Sequence, residues 1–103
     1  MRMSLQQATQ ADIEQFLQQQ PEWQLRDGKL YRNYLFSNFI EAFAFMTEVA
    51  LYAEKANHHP EWFNVYRTVR IELTTHEVSA VSERDFQLAN QMESLAEKRL
   101  TDR

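Results

Sequence analysis

Two adjacent histidines, His58 and His59, and a third, His76, are the side chains of this sequence best suited to proton chemistry. They are the only histidines in 103 residues. Imidazole titrates near neutral pH without help from its surroundings, so it can both donate and accept protons there. Glu54 precedes His58 by four residues, and a helix would bring the two onto one face, where the carboxylate favours the protonated imidazole. This pattern is suited to general acid catalysis.

Each of these residues also has a simpler interpretation. Taken singly, a histidine at a helix end is more often a surface polar group than a catalyst, and Glu54 fits an ordinary helix edge. His58 and His59 would point about 100° apart on a helix, and the i, i+4 histidine pair of zinc enzymes is absent. A metal set of Glu54 and the three histidines is geometrically possible, but we predict no metal site. From the residues alone, the prediction is acid–base chemistry at a helix end, on a flat ligand that tolerates aromatic neighbours.

The segment before these residues is predicted to form a helix and a β-hairpin. Thr9 and Asp12 predict a capping box that opens the helix, and Pro21 closes it. Asp27-Gly28, between apolar-rich runs, predicts a tight turn in which both residues take positive φ. The two strands are expected at residues 23–26 and 30–36.

A second helix is predicted to begin at an N-cap Ser37 and to run to about Asn57 or His58. Glu41, Glu48 and Lys55 recur every seven residues and form one narrow polar line. The remaining surface is apolar on two sides; one stripe is Phe39, Phe43, Met46, Ala50 and Ala53, and the other is Phe45, Val49, Tyr52 and Ala56. One stripe can pack on a sheet, and the other favours a homodimer or homotetramer formed through the 37–57 helix. The alternative is that the other two helices cover both stripes.

The last third of the chain predicts a second pair of strands and a third helix. Residues 69–75 alternate apolar and polar side chains, typical of a half-buried strand, with His76 on the face turned away from the core. Ser82 and Asp85 predict a second capping box, and residues 97–103 a frayed polar end. The predicted fold is α+β, in the order α-β-β-α-β-β-α, with a four-stranded antiparallel sheet and helices on one face. The chain is predicted to be one domain, 1–103.

Composition excludes several classes of function. A formal net charge of -4 lacks the basic excess that binds nucleic acid. Gly28 is the only glycine, so the glycine-rich loops of nucleotide-binding enzymes are excluded. Absence of cysteine, of a signal-like apolar run at the start and of any transmembrane-length segment predicts a cytoplasmic protein.

The stretch "EKANHHPEWFNVYRTVRIELTTHEVSAVSERDFQLA" resembles the pterin-4a-carbinolamine dehydratase family, and "FSNFIEAFAFMTEVALYAEK" resembles the long helix of that family. The residues that match the family pattern are Glu54, Lys55, His58, His59, Pro60, Trp62, Tyr66, Thr75, His76 and Asp85. The resemblance implies the α-β-β-α-β-β-α fold, dimers or tetramers assembled through the long helix, and dehydration of 4a-hydroxytetrahydropterin to quinonoid dihydropterin. That reaction recycles the pterin used by aromatic amino-acid hydroxylases and needs no metal or redox cofactor, because the pterin is the substrate.

The resemblance also implies roles for individual residues. His58 and His76 are expected to donate protons on either side of the pterin ring, while His59 positions the ring and shares in proton transfer. Glu54 and Asp85 are expected to orient imidazoles. The other expected substrate contacts are Pro60, Trp62 as a pocket wall, and the backbone around Thr75, Glu77 and Val78.

Two departures from the family and two competing functions accompany this resemblance. Ser79-Ala80 occupies a loop that usually contains glycine, so Ala80 would be strained if the loop needs positive φ. Asn57 replaces an aspartate that often precedes the histidine pair. The first alternative function is a non-catalytic oligomeric binding module, since animal family members also serve as dimerisation cofactors of a homeodomain transcription factor. The second is a small metal-dependent hydrolase.

Overall fold

The computed structural model describes residues 5–100 as three α-helices, four strands and a short 3₁₀ turn. The elements are α1 (Gln10–Gln19), β1 (Gln24–Arg26), β2 (Lys29–Leu35), α2 (Phe39–Ala56), β3 (Glu61–Val65), β4 (Thr68–Leu73), the turn His76–Val78 and α3 (Glu83–Leu100). This order confirms the predicted α-β-β-α-β-β-α layout. Among the helices of residues 5–100, none combines the length and the apolar character needed to cross a membrane.

The four strands form one antiparallel sheet in the order β1-β2-β4-β3. Side chains alternate between the two faces of a strand, so one face of the sheet can be buried while the other remains open. The buried face carries Leu30, Tyr34, Val69, Ile71 and Leu73. Phe45 and Val49 of α2 and Leu88 and Met92 of α3 belong to the same core cluster. The helices therefore lie on one face, as the alternation in residues 69–75 predicted.

Two local features predicted in the first half of the chain, the capping box of α1 and the hairpin turn, are confirmed. Thr9 Oγ1 accepts a hydrogen bond from the Asp12 backbone N–H, and Asp12 Oδ2 accepts one from the Thr9 N–H, each at 3.0 Å. Asp27 and Gly28 have φ angles of 52° and 78°, as the hairpin turn requires. The first strand begins one residue later than predicted because Trp23 turns into the core.

Glu93 of α3 ties the third helix to the sheet. Its Oε2 accepts hydrogen bonds from Trp23 Nε1 at 2.8 Å, Arg32 Nε at 2.8 Å and Tyr34 Oη at 2.5 Å. Burial, followed by the bond to Glu93, raises the pKa of Tyr34, so this phenol remains a hydrogen-bond donor at every physiological pH. The side of β2 that faces the helices is therefore anchored by polar as well as apolar contacts.

The second helix differs from the prediction at its start and in its rotation. Asn38, not Ser37, is the N-cap, because Asn38 Oδ1 accepts the Glu41 N–H at 2.9 Å. Its buried residues are Ala42, Phe45, Val49 and Ala53, whereas Phe39 and Phe43 of the predicted first stripe are exposed. The core takes the stripe that contains Phe45 and Val49, and the polar line lies towards α3, where Arg99 contacts Glu41 at 2.9 Å and Glu48 at 3.2 Å. Part of the apolar surface of the helix therefore remains outside.

That outward part forms a surface we call the α2 apolar surface. It consists of Phe39, Ile40, Phe43 and Leu51, each about half to three quarters exposed. Side chains this large and apolar, side by side on one helix, are typical of an interaction surface.

The third helix extends further than predicted. Residues 97–100 were expected to fray, but α3 remains helical to Leu100, and the Arg99 ion pairs give the physical reason. Residues 101–103 lie outside the described part of the chain. The predicted inward positions Leu88, Ala89, Met92 and Ala96 are all buried, with Leu95 partly so.

Candidate functional site

The histidine pair follows a left-handed residue that ends α2. Asn57 has φ 54° and ψ 43°, and the His58 N–H donates to the Ala53 carbonyl at 3.1 Å. Asparagine tolerates the left-handed conformation better than most residues, which explains a helix end here without glycine. The chain then separates the two rings: His58 is buried and His59 is exposed. The predicted divergence of the pair follows from this helix end.

His58 is bound to Asp85 and not to Glu54, which corrects the pairing expected from the i, i+4 spacing. His58 Nε2 lies 2.6 Å from Asp85 Oδ1. Helical spacing favours Glu54, but the helix stops at Ala56, so His58 leaves the face on which Glu54 lies. An ionised carboxylate only accepts hydrogen bonds, so this contact suits the tautomer with the hydrogen on Nε2, in which Nδ1 is the nitrogen left for proton exchange.

Asp85 is held in this position by half of the capping box predicted at the start of α3: Asp85 bonds back to the Ser82 N–H, but the Ser82 hydroxyl accepts from the Arg84 N–H at 3.2 Å and not from the Asp85 N–H. Its side chain is 0% exposed. Its Oδ2 accepts from the Ser82 backbone N–H at 2.9 Å and from Thr75 Oγ1 at 2.7 Å. Ser82 Oγ lies 2.6 Å from Thr75 Oγ1, which completes a buried polar network. A carboxylate this deep needs several donors, and these residues supply them.

His59 has the carboxylate partner that was expected for His58. His59 Nε2 lies 2.9 Å from Glu54 Oε1, and both side chains are more than half exposed. Glu54 therefore does lie beside a histidine, as the sequence predicted, but that histidine is His59 and not His58.

His76 begins the short turn that follows β4. Its side chain is 81% exposed, and its Nε2 lies 3.4 Å from Glu61 Oε2. The turn is closed by backbone bonds between Thr75 and Ala80, and it does require a positive φ. The strain falls on Ser79, with φ 56°, and not on Ala80 as expected.

All three histidines line one cavity of about 410 Å³. The other lining residues are Asn57, Pro60, Glu61, Thr74 and Glu77. Two chain segments thus meet at this cavity, one after α2 and one after β4. Imidazoles on two sides of an open space, each with a carboxylate beside it, can donate and accept protons on a single bound molecule.

The remaining predicted site residues do not line the cavity. Glu54, Asp85 and Thr75 reach it indirectly, through the histidines and through one another. Trp62 is partly buried against the core, on the side of β3 opposite Glu61, and Val78 lies beyond the cavity, its carbonyl accepting from Gln7 Nε2. Within residues 5–100 no group of three or more His, Cys, Asp or Glu side chains is placed to hold a metal ion.

Three lining residues, Asn57, Glu61 and Thr74, were not predicted. Asn57 had a detectable signal, because a histidine pair just after a helix places the capping residue at the same cavity. Glu61 had a weaker signal. It directly follows Pro60, but this position does not indicate on which face of the next strand its side chain will lie.

Comparison with known proteins assigns the chain and its fold to a family. The family model described as pterin 4 alpha carbinolamine dehydratase matches residues 6–95. The chain belongs to this family of hydro-lyases. The match includes every residue of the cavity and all three helices except the end of α3.

Individual relatives cover most of the chain. A Solibacter usitatus protein is 48% identical over 88 residues, covering 85% of this chain and 93% of its own length. A Chelativorans protein is 48% identical over 98 residues, covering 93% of this chain and 100% of its own. Both are provisionally named pterin-4-alpha-carbinolamine dehydratases. A crystal structure of a Brucella melitensis protein, described as a transcriptional coactivator/pterin dehydratase, superposes with a TM-score of 0.84 at 40% identity, covering 87% of this chain and 98% of its own.

Proposed function

We propose that this protein dehydrates 4a-hydroxytetrahydropterin to quinonoid dihydropterin and water. The observation that carries the proposal is the meeting of His58, His59 and His76 at one cavity, each beside a carboxylate. Family membership supplies the substrate class. In this proposal the reaction recycles tetrahydropterin for aromatic amino-acid hydroxylation in the cytoplasm, with the pterin as substrate and no further cofactor.

The reaction needs one acid and one base. The acid protonates the departing 4a-hydroxyl, the C4a–O bond breaks, and water leaves. The base takes the N5 proton as the C4a–N5 double bond forms, so no electrons are exchanged with another molecule. General acid–base catalysis of this kind contributes about 10²–10⁴-fold to a rate.

The three histidines have different roles in this proposal, according to their surroundings. His58 and His76 act on either side of the pterin ring, and His59 positions the ring and shares in proton transfer. Asp85 orients His58 and stabilises its protonated form, and Glu54 does the same for His59, as carboxylates do in other acid–base sites. In each of these two pairs the carboxylate engages Nε2, which leaves Nδ1 to exchange protons with the substrate.

Residues around the histidines hold the substrate in this proposal. Pro60 and Glu77 line the cavity, and the backbone from Thr75 to Val78 holds the polar edge of the pterin. Trp62 contributes indirectly, because it packs against the core and so fixes the position of β3.

The direct test is formation of quinonoid product from freshly generated 4a-carbinolamine, measured against the uncatalysed rate. His59→Gln and His76→Gln are each expected to reduce the catalysed rate at least tenfold, because a general acid or base contributes about 10²–10⁴-fold, while the oligomer size stays unchanged. Arg67→Gln, an exposed change outside the cavity, is the matched control. Full activity in both histidine variants contradicts the assignment, and inhibition by chelators would support a metal-dependent reaction instead.

Self-association is part of the proposed function, because the α2 apolar surface would otherwise face water. A homodimer or homotetramer through the 37–57 helix would cover it. Phe43→Glu is expected to shift the protein to a smaller species in sedimentation velocity. Leu25→Glu places the same charge on a comparably exposed residue of β1 and should leave the size unchanged. A monomeric parent protein would contradict this part of the proposal.

A second candidate function is a non-catalytic binding module of the same fold. The α2 apolar surface favours it, together with the coactivator description of the Brucella melitensis relative. A protein with this role alone would show no product formation above background, and neutral replacement of all three histidines would leave its assembly intact.

A further inference from the structure

Glu61 is the one carboxylate of the cavity that contacts both a lysine and a histidine. Its Oε1 accepts a hydrogen bond from Lys29 Nζ at 2.7 Å, and its Oε2 lies 3.4 Å from His76 Nε2. Glu61 follows Pro60 directly and is the first residue of β3, so its backbone is fixed by the sheet.

The strand register explains why Lys29 can reach Glu61. Tyr31 of β2 pairs with Glu72 of β4, and Glu72 pairs with Glu61, so the three side chains lie on the same open face of the sheet. Lys29 is two residues before Tyr31 and therefore lies on that face too. The Lys29 side chain spans the central strand β4 to reach β3.

His76 is the histidine most in need of such a partner. His58 lies 2.6 Å from Asp85 and His59 lies 2.9 Å from Glu54, whereas His76 has the longest carboxylate distance and the most exposed side chain of the three. An exposed imidazole rotates freely unless a neighbour holds it, and catalytic hydrogen bonds are often long until the substrate is bound.

We propose that Glu61 is the positioning residue of His76, and that the hydrogen bond from Lys29 holds Glu61 towards that ring. This inference rests on the dehydratase function proposed above. Glu61 accepts a hydrogen bond from the Nε2–H of His76. This bond fixes the tautomer of the His76 ring and leaves Nδ1 to exchange a proton with the substrate. It also stabilises the positive charge that His76 carries whenever it holds an extra proton.

The pKa shifts of Glu61 and Lys29 agree with the geometry of their contact. The hydrogen bond from Lys29 lowers the pKa of Glu61, and His76 lowers it further. The same hydrogen bond raises the pKa of Lys29. Other charged or titratable groups that line a pocket with Glu61 are Tyr31 of β2, Glu72 and Arg70 of β4, His58 and His59 after α2, and Glu77 of the turn. Asp27 acts on Lys29. Lys29 is the cation that is hydrogen-bonded to Glu61.

The test compares Glu61→Gln, Lys29→Met and Lys29→Arg with the control Glu72→Gln. Glu72 pairs with Glu61 in the sheet but lies outside the histidine cavity. Two readouts are needed: the pH titration of the His76 ring resonances by NMR without substrate, and kcat and KM for 4a-carbinolamine dehydration.

In Glu61→Gln the His76 ring is expected to titrate at lower pH than in the parent protein, because the charge that favours its protonated form is gone. The kcat should fall about fivefold with KM within about twofold, since positioning supports proton transfer more than binding. In Lys29→Met the acid limb of kcat should move to higher pH, because Glu61 then takes up its proton more easily. Lys29→Arg should restore the parent profile, and Glu72→Gln should alter neither readout.

Failure of the inference can be told apart from failure of the proposed function. If the parent protein is an active dehydratase and His76 titrates identically in the parent and in Glu61→Gln, the positioning role alone is overturned. A parent protein without dehydratase activity would overturn the proposed function, whatever the NMR titration shows. A purely structural role for Glu61 would lower the unfolding temperature without moving the His76 titration, and would also overturn the inference.

Discussion

The two ends of the histidine cavity use the same chemical pair in opposite surroundings. At the buried end, His58 and Asp85 lie among Thr75 and Ser82 with almost no access to water. At the open end, His59 pairs with Glu54, and His76 with Glu61, on the exposed surface. We refer to these as the buried pair and the open pairs.

The difference shows where function and stability are coupled. A buried carboxylate must be compensated by hydrogen bonds, and removing one partner leaves an uncompensated polar group. An exposed ion pair contributes about 0–1 kcal/mol to folding, because water solvates either partner alone. Changes to the buried pair should therefore lower both stability and activity, whereas changes to the open pairs should lower activity and change the free energy of unfolding by no more than about 1 kcal/mol.

The largest expected effect is that of Asp85→Asn. It removes the charge that stabilises protonated His58, so activity should fall about 10²-fold or more. The free energy of unfolding should fall by about 3 kcal/mol, the scale of a broken buried pair. Urea unfolding and initial rates of product formation measure the two losses.

Asp12→Asn is the matched control for Asp85→Asn, because each aspartate accepts a hydrogen bond from the backbone N–H three residues earlier, at the start of its helix. Asp12 is exposed on α1, far from the cavity, so its replacement should leave the rate unchanged and cost less stability. Equal effects of the two substitutions would mean that Asp85 acts only as a helix cap.

Thr75→Val should have the next largest effect. Valine keeps the shape but removes one donor to Asp85 and one partner of Ser82, at a cost of about 1–3 kcal/mol in unfolding free energy. The rate should fall less than in Asp85→Asn, because the contact between His58 and Asp85 remains. Thr68→Val in β4 is the control, and an unchanged unfolding midpoint in Thr75→Val would contradict the network.

Glu54→Gln tests an open pair. We expect the rate to fall about threefold and the unfolding free energy to change by less than about 0.5 kcal/mol, because both side chains remain solvated. A loss of stability comparable to that of Thr75→Val would remove the distinction between the two ends.

The smallest effect concerns the pH dependence of stability at Glu61. Its pKa is lowered from 4.5 in the folded protein, mainly by the hydrogen bond from Lys29. A lowered folded pKa contributes stability that is fully present above 4.5 and is lost as pH falls through the folded value. The urea midpoint of the parent should therefore exceed that of Glu61→Gln at about pH 7 and approach it below about pH 4, a range set by the ordinary Glu pKa of about 4.3. A difference that grows in acid would show that Glu61 is not ionised in the folded state.

Local signals predicted most of the fold. The Thr9 capping box, the Asp27-Gly28 turn and the alternation of residues 69–75 each depend on near neighbours in sequence, and each is confirmed. The Ser82 capping box is confirmed for the bond from the Ser82 N–H to Asp85 only. Errors arose where a distant residue decided the outcome. Nothing near Phe39 indicates that Arg99, close to the other end of the chain, will pair with Glu41 and Glu48, or which apolar stripe the core will bury.

The candidate site shows the same division. Residue types and the family resemblance named the three histidines, and the structure places them at one cavity. The carboxylate partner of each imidazole was not predictable from spacing. Because α2 ends between Glu54 and His58, Glu54 contacts His59 and not His58. Glu61 was missed for a similar reason: its proximity to His76 comes from the pairing of β3 with β4.

The amino-acid sequence by itself determined the order of elements, the buried face of the sheet and the identity of the imidazoles, since periodicity, capping and residue chemistry are local properties. Only the tertiary structure decided which carboxylate serves which imidazole and how deeply each pair is buried. Those outcomes depend on where helix α2 stops and on which strands lie side by side, and both are set by packing between segments far apart along the chain.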